Sequence, residues 1–308
     1  MATVRGPLGG EALARLGKHL QSDGYAVLPQ YLPREPLQNL RLELLEVVRA
    51  AGWLEPGPPG AGFVKPALQY PVSKLQIIDV AREMFRSEAL HTLAHHPRLV
   101  GLFEALFEEA VLVHPNVIAR PIYPNHPCGV TPSHQDAYRL KGTPDAFTVW
   151  IPLSDCPAIL GGLQVAPRSH QSGVYRVQHL TNPEHDPFAD CWLGGDYALG
   201  DIVIFHSMTV HRTHPNLSRS LRLSVDFRYQ RLSEPIFPGH FCLYGQDWPR
   251  VYRDWQATRL QYYWQSLGVK LKPTVGQLHR TAQNGTNPEM VSKANEILQG
   301  LQASGFAT

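Results

Sequence analysis

Residues 131 to 153 read TPSHQDAYRLKGTPDAFTVWIPL, a histidine and an aspartate two apart just ahead of a β-branched and aromatic run. In an extended segment residues two apart point to the same side. His134 and Asp136 could therefore offer an imidazole nitrogen and a carboxylate oxygen to one metal ion. The pair alone carries little weight. With 15 histidines and 26 acidic residues in 308, about 1.3 His-x-Asp or His-x-Glu pairs arise by chance, and one is found. A further ligand has to come from a distant segment. GDIVIFHSMTVHRTHPN, residues 200 to 216, supplies His206, His211 and His214. The run after it, LRLSVDFRY, reads as a strand with Leu221, Leu223, Val225, Phe227 and Tyr229 on one face. Arg222, Ser224, Asp226 and Arg228 share the other. Arg222 and Ser224 could hold a carboxylate between them, the guanidinium as a bidentate fork and the hydroxyl as a neighbouring donor. Contact with solvent is the expectation for that polar face, and the lining of a small barrel is the alternative.

Other chemistries lack their residues. The sequence has no P-loop, no G-x-G-x-x-G, no G-x-S-x-G and no H-E-x-x-H. HTLAHH puts His91 and His95 one helical turn apart without the carboxylate of a zinc protease, and reads as a histidine cluster on a surface helix. Cys128, Cys156, Cys191 and Cys242 form no C-x-x-C, which points to reduced, structural thiols. A net charge of +2 with both signs mixed along the chain creates no field that would gather nucleic acid or anionic lipid. The composition is 43% hydrophobic and 18% charged, in the range of folded globular proteins. No apolar run approaches the ~20 residues of a membrane span, and the N-terminus lacks the features of a secretory signal. The expectation is a cytoplasmic protein with neither a nucleic-acid nor a membrane partner.

The elements that must position these residues change character along the chain. From Gly10 to about Phe107 apolar residues recur at three- and four-residue spacing, interrupted by one short strand at GYAVLP. From residue 108 to 230 short β runs alternate with Pro, Gly and Asn, as a sandwich or barrel requires. WPRVYRDWQATRLQYYWQSLG then returns to helical spacing, with Val251, Trp255 and Tyr262 on an aromatic face read as core packing. A single domain over 1–308 follows, with a helical part at 1–107, a β core at 108–230 and a helical, aromatic extension at 231–308.

Taken in order, LQSDGYAVLPQYLP, HQD, WIPLSDCPAILGGLQVAPRSHQSG and GDIVIFHSMTVHRTHPN followed by Arg222 resemble the phytanoyl-CoA dioxygenase family of Fe(II)- and 2-oxoglutarate-dependent oxygenases. The landmarks span residues 20 to about 230. The resemblance implies a mainly β fold with flanking helices, its core a double-stranded β-helix, the jelly roll of cupin-like proteins. It also implies His134, Asp136 and His211 as iron ligands, Asn216 as a loop residue, and Arg222 as the 2-oxoglutarate anchor, with Ser224 and Thr213 as helpers. His206 and His214 fit neither spacing. Two imidazoles and a carboxylate leave half of an octahedron open, as non-haem Fe(II) oxygenases require. The implied reaction consumes O2 and 2-oxoglutarate, releases succinate and CO2, and hydroxylates or otherwise oxidises a small molecule, read here as one of secondary metabolism. Halogenating relatives have a small residue at the carboxylate position, so Asp136 favours hydroxylation. Arg120, Tyr123 and Trp150 are the candidate pocket walls. Where the family commonly has P-G-S-H, this chain has Pro167, Arg168, Ser169 and His170. A redox-inert cupin-like metal enzyme and a catalytically silent jelly-roll binding protein are the competing readings; neither needs a dicarboxylate anchor.

Overall fold

The computed structural model describes residues 8–65, 74–125, 130–175, 187–241 and 247–306. Five helices precede most of the sheet: α1 (Gly10–Asp23), α2 (Arg34–Ala50), α3 (Lys74–Phe85), α4 (Glu88–Ala94) and α5 (Pro97–Phe107). The short strand β1 (Tyr25–Leu28) lies between α1 and α2. The remaining strands are β2 (Val111–Val113), β3 (Ile118–Ile122), β4 (Ala146–Pro152), β5 (Leu163–Val165), β6 (Ile202–His206), β7 (His211–Thr213) and β8 (Arg222–Arg231), with the single-turn helix α6 (Ala137–Leu140) between β3 and β4. The larger sheet has the order β1-β6-β4-β8-β2, and β3 also pairs with β8. All these pairs are antiparallel. The smaller sheet pairs β5 with β7 and is extended by single bridges, His134 to His211 and Val165 to Leu193.

The strand periodicity assigns each face of the larger sheet a different task. Leu28, Val149, Ile151, Ile202, Ile204, Leu223, Val225 and Phe227 face the helices in the main core, which reaches from Leu16 in α1 to Leu301 near the C-terminus. On the other face, Trp150, Val203 and Phe205 meet Leu163 and Val165 of the smaller sheet in a second core between the sheets. β8 is thus covered on both sides. Arg222 and Ser224 are fully buried, with Asp226 and Arg228 nearly so. Solvent contact, the sequence expectation for that polar face, is corrected: β3 and β4 flank β8 and the smaller sheet closes over its polar side, so the arginines point into the barrel.

Two further expectations are corrected. His91 is a core residue and not part of a surface cluster: Nε2 lies 2.8 Å from the Phe85 carbonyl oxygen and the ring packs against Phe85 and Trp255. Burial depresses its pKa to about 3, so it is neutral. The stretch from Trp248 to Gly268 forms no continuous helix. It has one turn over Trp248–Tyr252, irregular chain, then a 3-10 turn over Tyr263–Ser266 entered through Tyr262 at φ 51°. Its aromatic residues do pack in the main core. Each buried indole needs an acceptor, and Trp248, Trp255 and Trp264 find theirs in the carbonyls of Phe241, Arg86 and Ser304. Meeting three separate acceptors bends the chain away from one helix. The C-terminal helices lie beyond it, at Val275–Asn284 and Pro288–Ala303.

Among the described cysteines, Cys156 is buried and Cys191 exposed, both as free thiols; Cys128 and Cys242 lie outside the described residues. Among the described residues no helix is long and apolar enough to cross a membrane.

Candidate active site

His134 and His211 come from segments 77 positions apart in sequence, joined by reciprocal backbone bonds of 3.0 Å each. That bridge puts the two rings 4.1 Å apart, centroid to centroid. Asp136 follows at the start of α6, its Oδ1 3.6 Å from His134 Nε2 and 4.0 Å from His211 Nε2. One ligand atom from each residue lies within 4.8 Å of the others. Both imidazoles use Nδ1 on a main-chain carbonyl, His134 on Pro132 at 2.9 Å and His211 on Thr209 at 3.0 Å. A carbonyl only accepts, so Nδ1 carries the proton and Nε2 keeps its lone pair for a metal. Burial pushes the His211 pKa down to about 3, which keeps the ring neutral and ready to ligate.

Asp136 is held from behind. Its Oδ2 accepts from the Thr148 hydroxyl at 2.6 Å and from Arg228 Nε and Nη2 at 3.3 Å, while Oδ1, which faces the histidines, takes a longer bond of 3.4 Å from Arg228 Nη2. Burial alone would raise its pKa; the Arg228 guanidinium and the two imidazoles outweigh this and hold the carboxyl well below its ordinary value. Thr148 and Arg228 are cross-strand partners on β4 and β8, and sequence reasoning missed both roles. The alternation along β8 already put Arg228 on the face of Arg222; the long-range pairing that brings Thr148 opposite it left no local signal. Gln135 also braces the site, donating to the Gly173 and Met208 carbonyls.

Arg222 lies toward the other end of β8. Its Nη1 donates to the Gly161 carbonyl at 2.6 Å, while Nε and Nη2 are buried without a partner. The Ser224 hydroxyl and the Trp150 indole nitrogen are likewise buried without partners, and the guanidinium carbon is 5.8 Å from the Trp150 ring centroid. Burial lowers the Arg222 pKa only to about 10, so it stays cationic. A buried charge with no counterion costs several kcal/mol; donors left unsatisfied add to it. An incoming carboxylate would answer both. Thr213, on the same face of β7 as His211, accepts from Thr131 N at 2.8 Å. Asn216 locks the loop ahead of Arg222, donating to Ile122 and Ser220 carbonyls and accepting from Ser218.

A cavity of about 710 Å³ opens beside His134 and Asp136, with Arg120 and Arg228 in its wall. Arg120 is ion-paired to Asp226. Tyr123, three positions on and therefore on the opposite face, packs edge-on against Trp53 in the main core, away from this cavity. His206 lies beside Asp145 and Phe147, and His214 is exposed; neither joins the cluster. Arg168 adopts φ 64°, the left-handed region that favours glycine, and reaches Asp23 at 3.2 Å from an exposed side chain. Beside it, the Ser169 hydroxyl accepts from Val210 N, propping the residue before His211.

The family model for phytanoyl-CoA dioxygenase (PhyH) matches residues 20–224. This chain belongs to the phytanoyl-CoA dioxygenase family. It is therefore a non-haem iron oxygenase that uses Fe(II), 2-oxoglutarate and O2, and the donor set of two imidazoles and a carboxylate fits Fe(II). Its relatives include the 1-deoxypentalenic acid 11-beta-hydroxylases of Streptomyces arenae and Streptomyces exfoliatus, each 26% identical over 71% of this chain and 81% of the relative. In fold it is similar to the epimerase SnoN, whose structure holds Fe3+, alpha ketoglutarate and nogalamycin RO. That likeness has a TM-score of 0.55 at 21% identity and covers 74% of this chain and 87% of SnoN. It is also similar to the carbocyclase SnoK of nogalamycin biosynthesis, with a TM-score of 0.50 at 22% identity over 74% and 86% of the two chains. These likenesses agree with the jelly-roll core of this family.

Proposed function

We propose that the protein hydroxylates, or otherwise oxidises, a small molecule of secondary metabolism, with His134, Asp136 and His211 holding iron and Arg222 anchoring 2-oxoglutarate. When bound, iron and 2-oxoglutarate supply the oxidising chemistry, with succinate and CO2 as coproducts. The chain's own residues do the rest. Main-chain carbonyls fix the proton on Nδ1 of both histidines, so each presents a lone pair without reorganisation. Thr148 and Arg228 hold Asp136 chiefly through Oδ2 and turn Oδ1 toward the metal position. Arg222, Ser224 and Trp150 turn buried donors toward a carboxylate. The substrate enters the cavity beside His134 and Asp136, and the 1-deoxypentalenic acid hydroxylase relatives support a small metabolite there.

The observation that carries this reading is Arg222, a buried cation with two donor nitrogens unused and no ion pair among the described residues. A redox-inert metal enzyme on the same ligands would have no use for it. The test is an anaerobic titration of metal-free protein with Fe(II) and then 2-oxoglutarate, following the visible charge-transfer band of the chelated keto acid. Wild type is expected to form the band, and Arg222→Ala to need far more 2-oxoglutarate for it. Iron binding without a band would overturn the 2-oxoglutarate assignment. An unchanged midpoint in Arg222→Ala would remove Arg222 as the anchor.

A further inference from the structure

The 710 Å³ cavity has a charge imbalance that the metal site does not use. Among the described residues Asp136 is the single carboxylate in its wall, and Arg228 already answers it. Arg120 is answered by Asp226. His240 is neutral, because burial depresses its pKa to about 4. Arg139 and Lys141 remain, both exposed and both at the α6 edge, and neither meets a carboxylate among the described residues. Their placement is built into the backbone. Arg139 N donates to the Asp136 carbonyl at 2.8 Å, so this cation stands less than one helical turn from a metal ligand. Lys141 caps α6 at φ 55°, and its ammonium lies 5.4 Å from the centre of the Phe237 ring. Ile118, Pro132, Leu140 and Phe237 supply its apolar wall, beside neutral polar groups such as Asn116 and Thr131.

We infer that Arg139 and Lys141 form an anion-recognition edge selecting a compact apolar substrate that carries a carboxylate, held so that its carbon skeleton lies along Ile118, Leu140 and Phe237 toward the metal ligands. This rests on the proposed oxygenase function and names the substrate class for that site. Two unanswered cations on one side of a largely apolar cavity attract an anion selectively and orient it, since the opposite pose would take the carboxylate away from both cations. Fixing one end of the molecule determines which C–H bond faces the metal, so the same two residues would set regioselectivity.

The experiment uses full-length protein loaded anaerobically with Fe(II) and saturating 2-oxoglutarate, which occupies the Arg222 pocket. Calorimetry then compares alicyclic carboxylic acids, such as adamantane-1-carboxylate and cyclohexylacetate, with their primary alcohols. In wild type at least one acid is expected to bind about ten-fold more tightly than its alcohol, corresponding to ~1.4 kcal/mol, with the advantage shrinking as salt rises. In Arg139→Gln/Lys141→Gln the acid is expected to fall to the level of the alcohol while the alcohol is unchanged. No acid preferred over its alcohol, a preference surviving the double substitution, or equal weakening of acid and alcohol would each overturn the proposal. The charge-transfer band, recorded on the same samples, reports separately on the oxygenase reading: its absence counts against that reading, and the acid-to-alcohol comparison is then made on the metal-free protein.

Discussion

At the scale of single residues, Asp136 shows how neighbours divide one carboxylate between two tasks. Thr148 and Arg228 hold it chiefly through Oδ2, and Oδ1, with only the longer Arg228 bond, faces the metal position. Groups that orient a ligand from behind typically contribute 10- to 100-fold in metal affinity. Thr148→Val, nearly isosteric but without the hydroxyl, is expected to weaken Fe(II) binding by about that range, with Thr148→Ser restoring most of it. Anaerobic iron titration with thermal melts checks this. Unchanged iron affinity in a folded Thr148→Val protein would show that Arg228 alone orients the carboxylate. Arg120 and Tyr123 belong at this scale too. They are three positions apart, and along a strand an odd spacing sends side chains to opposite faces. One reaches the cavity and the other the Trp53 side of the core.

At the scale of elements, the site is held by close approaches between distant segments. α1 ends at Gly24, φ 79°, whose carbonyl accepts from His206 N and from the Thr209 hydroxyl. A Cβ at Gly24 would come within 2.3 Å of His170 Nδ1 and 2.6 Å of Thr209 Oγ1. Thr209 in turn offers its carbonyl to His211. Gly24→Ala thus combines left-handed strain with a clash, and is expected to cost about 2–4 kcal/mol. Gly52, φ 78° with nothing within 4 Å of its would-be Cβ, is the control, expected to cost only about 1 kcal/mol on the same substitution. Urea unfolding of both variants checks the difference; equal losses would mean the chain relaxes around the clash. Gly161 plays a similar part for the anchor, since its carbonyl takes Arg222 Nη1 while its own Cβ position is closed by the His214 carbonyl at 2.4 Å.

At the scale of the whole molecule, the C-terminal segment clasps the helices that back the sheet. Gln256 N and Ala257 N donate to Glu88, Arg86 pairs with Asp254 at 2.7 Å, and Trp255 packs on His91. His91 makes that clasp pH-sensitive. Its folded pKa, about 3, lies below the ordinary 6.5. Below pH 6.5 the unfolded chain therefore takes up a proton that the folded one refuses. Its contribution is complete above about pH 6.5 and is lost as pH falls toward 3, at about 1.4 kcal/mol per pH unit. His91→Phe is expected to flatten the fall in stability between pH 6.5 and 5 by about one proton, measured by urea unfolding across that range; an unchanged slope would assign the proton uptake to other buried histidines. By itself, the sequence determined the order of the landmarks, the pairing of His134 with Asp136, and the division of β8 into an apolar and a polar face, because residue type and a period of two are local properties. Whether that polar face met water or a barrel interior, whether HTLAHH was surface or core, and that Thr148 would stand behind Asp136 were decided only in the tertiary structure. Burial and cross-strand neighbours are set by segments far away in the chain, and no local period records which of them will arrive.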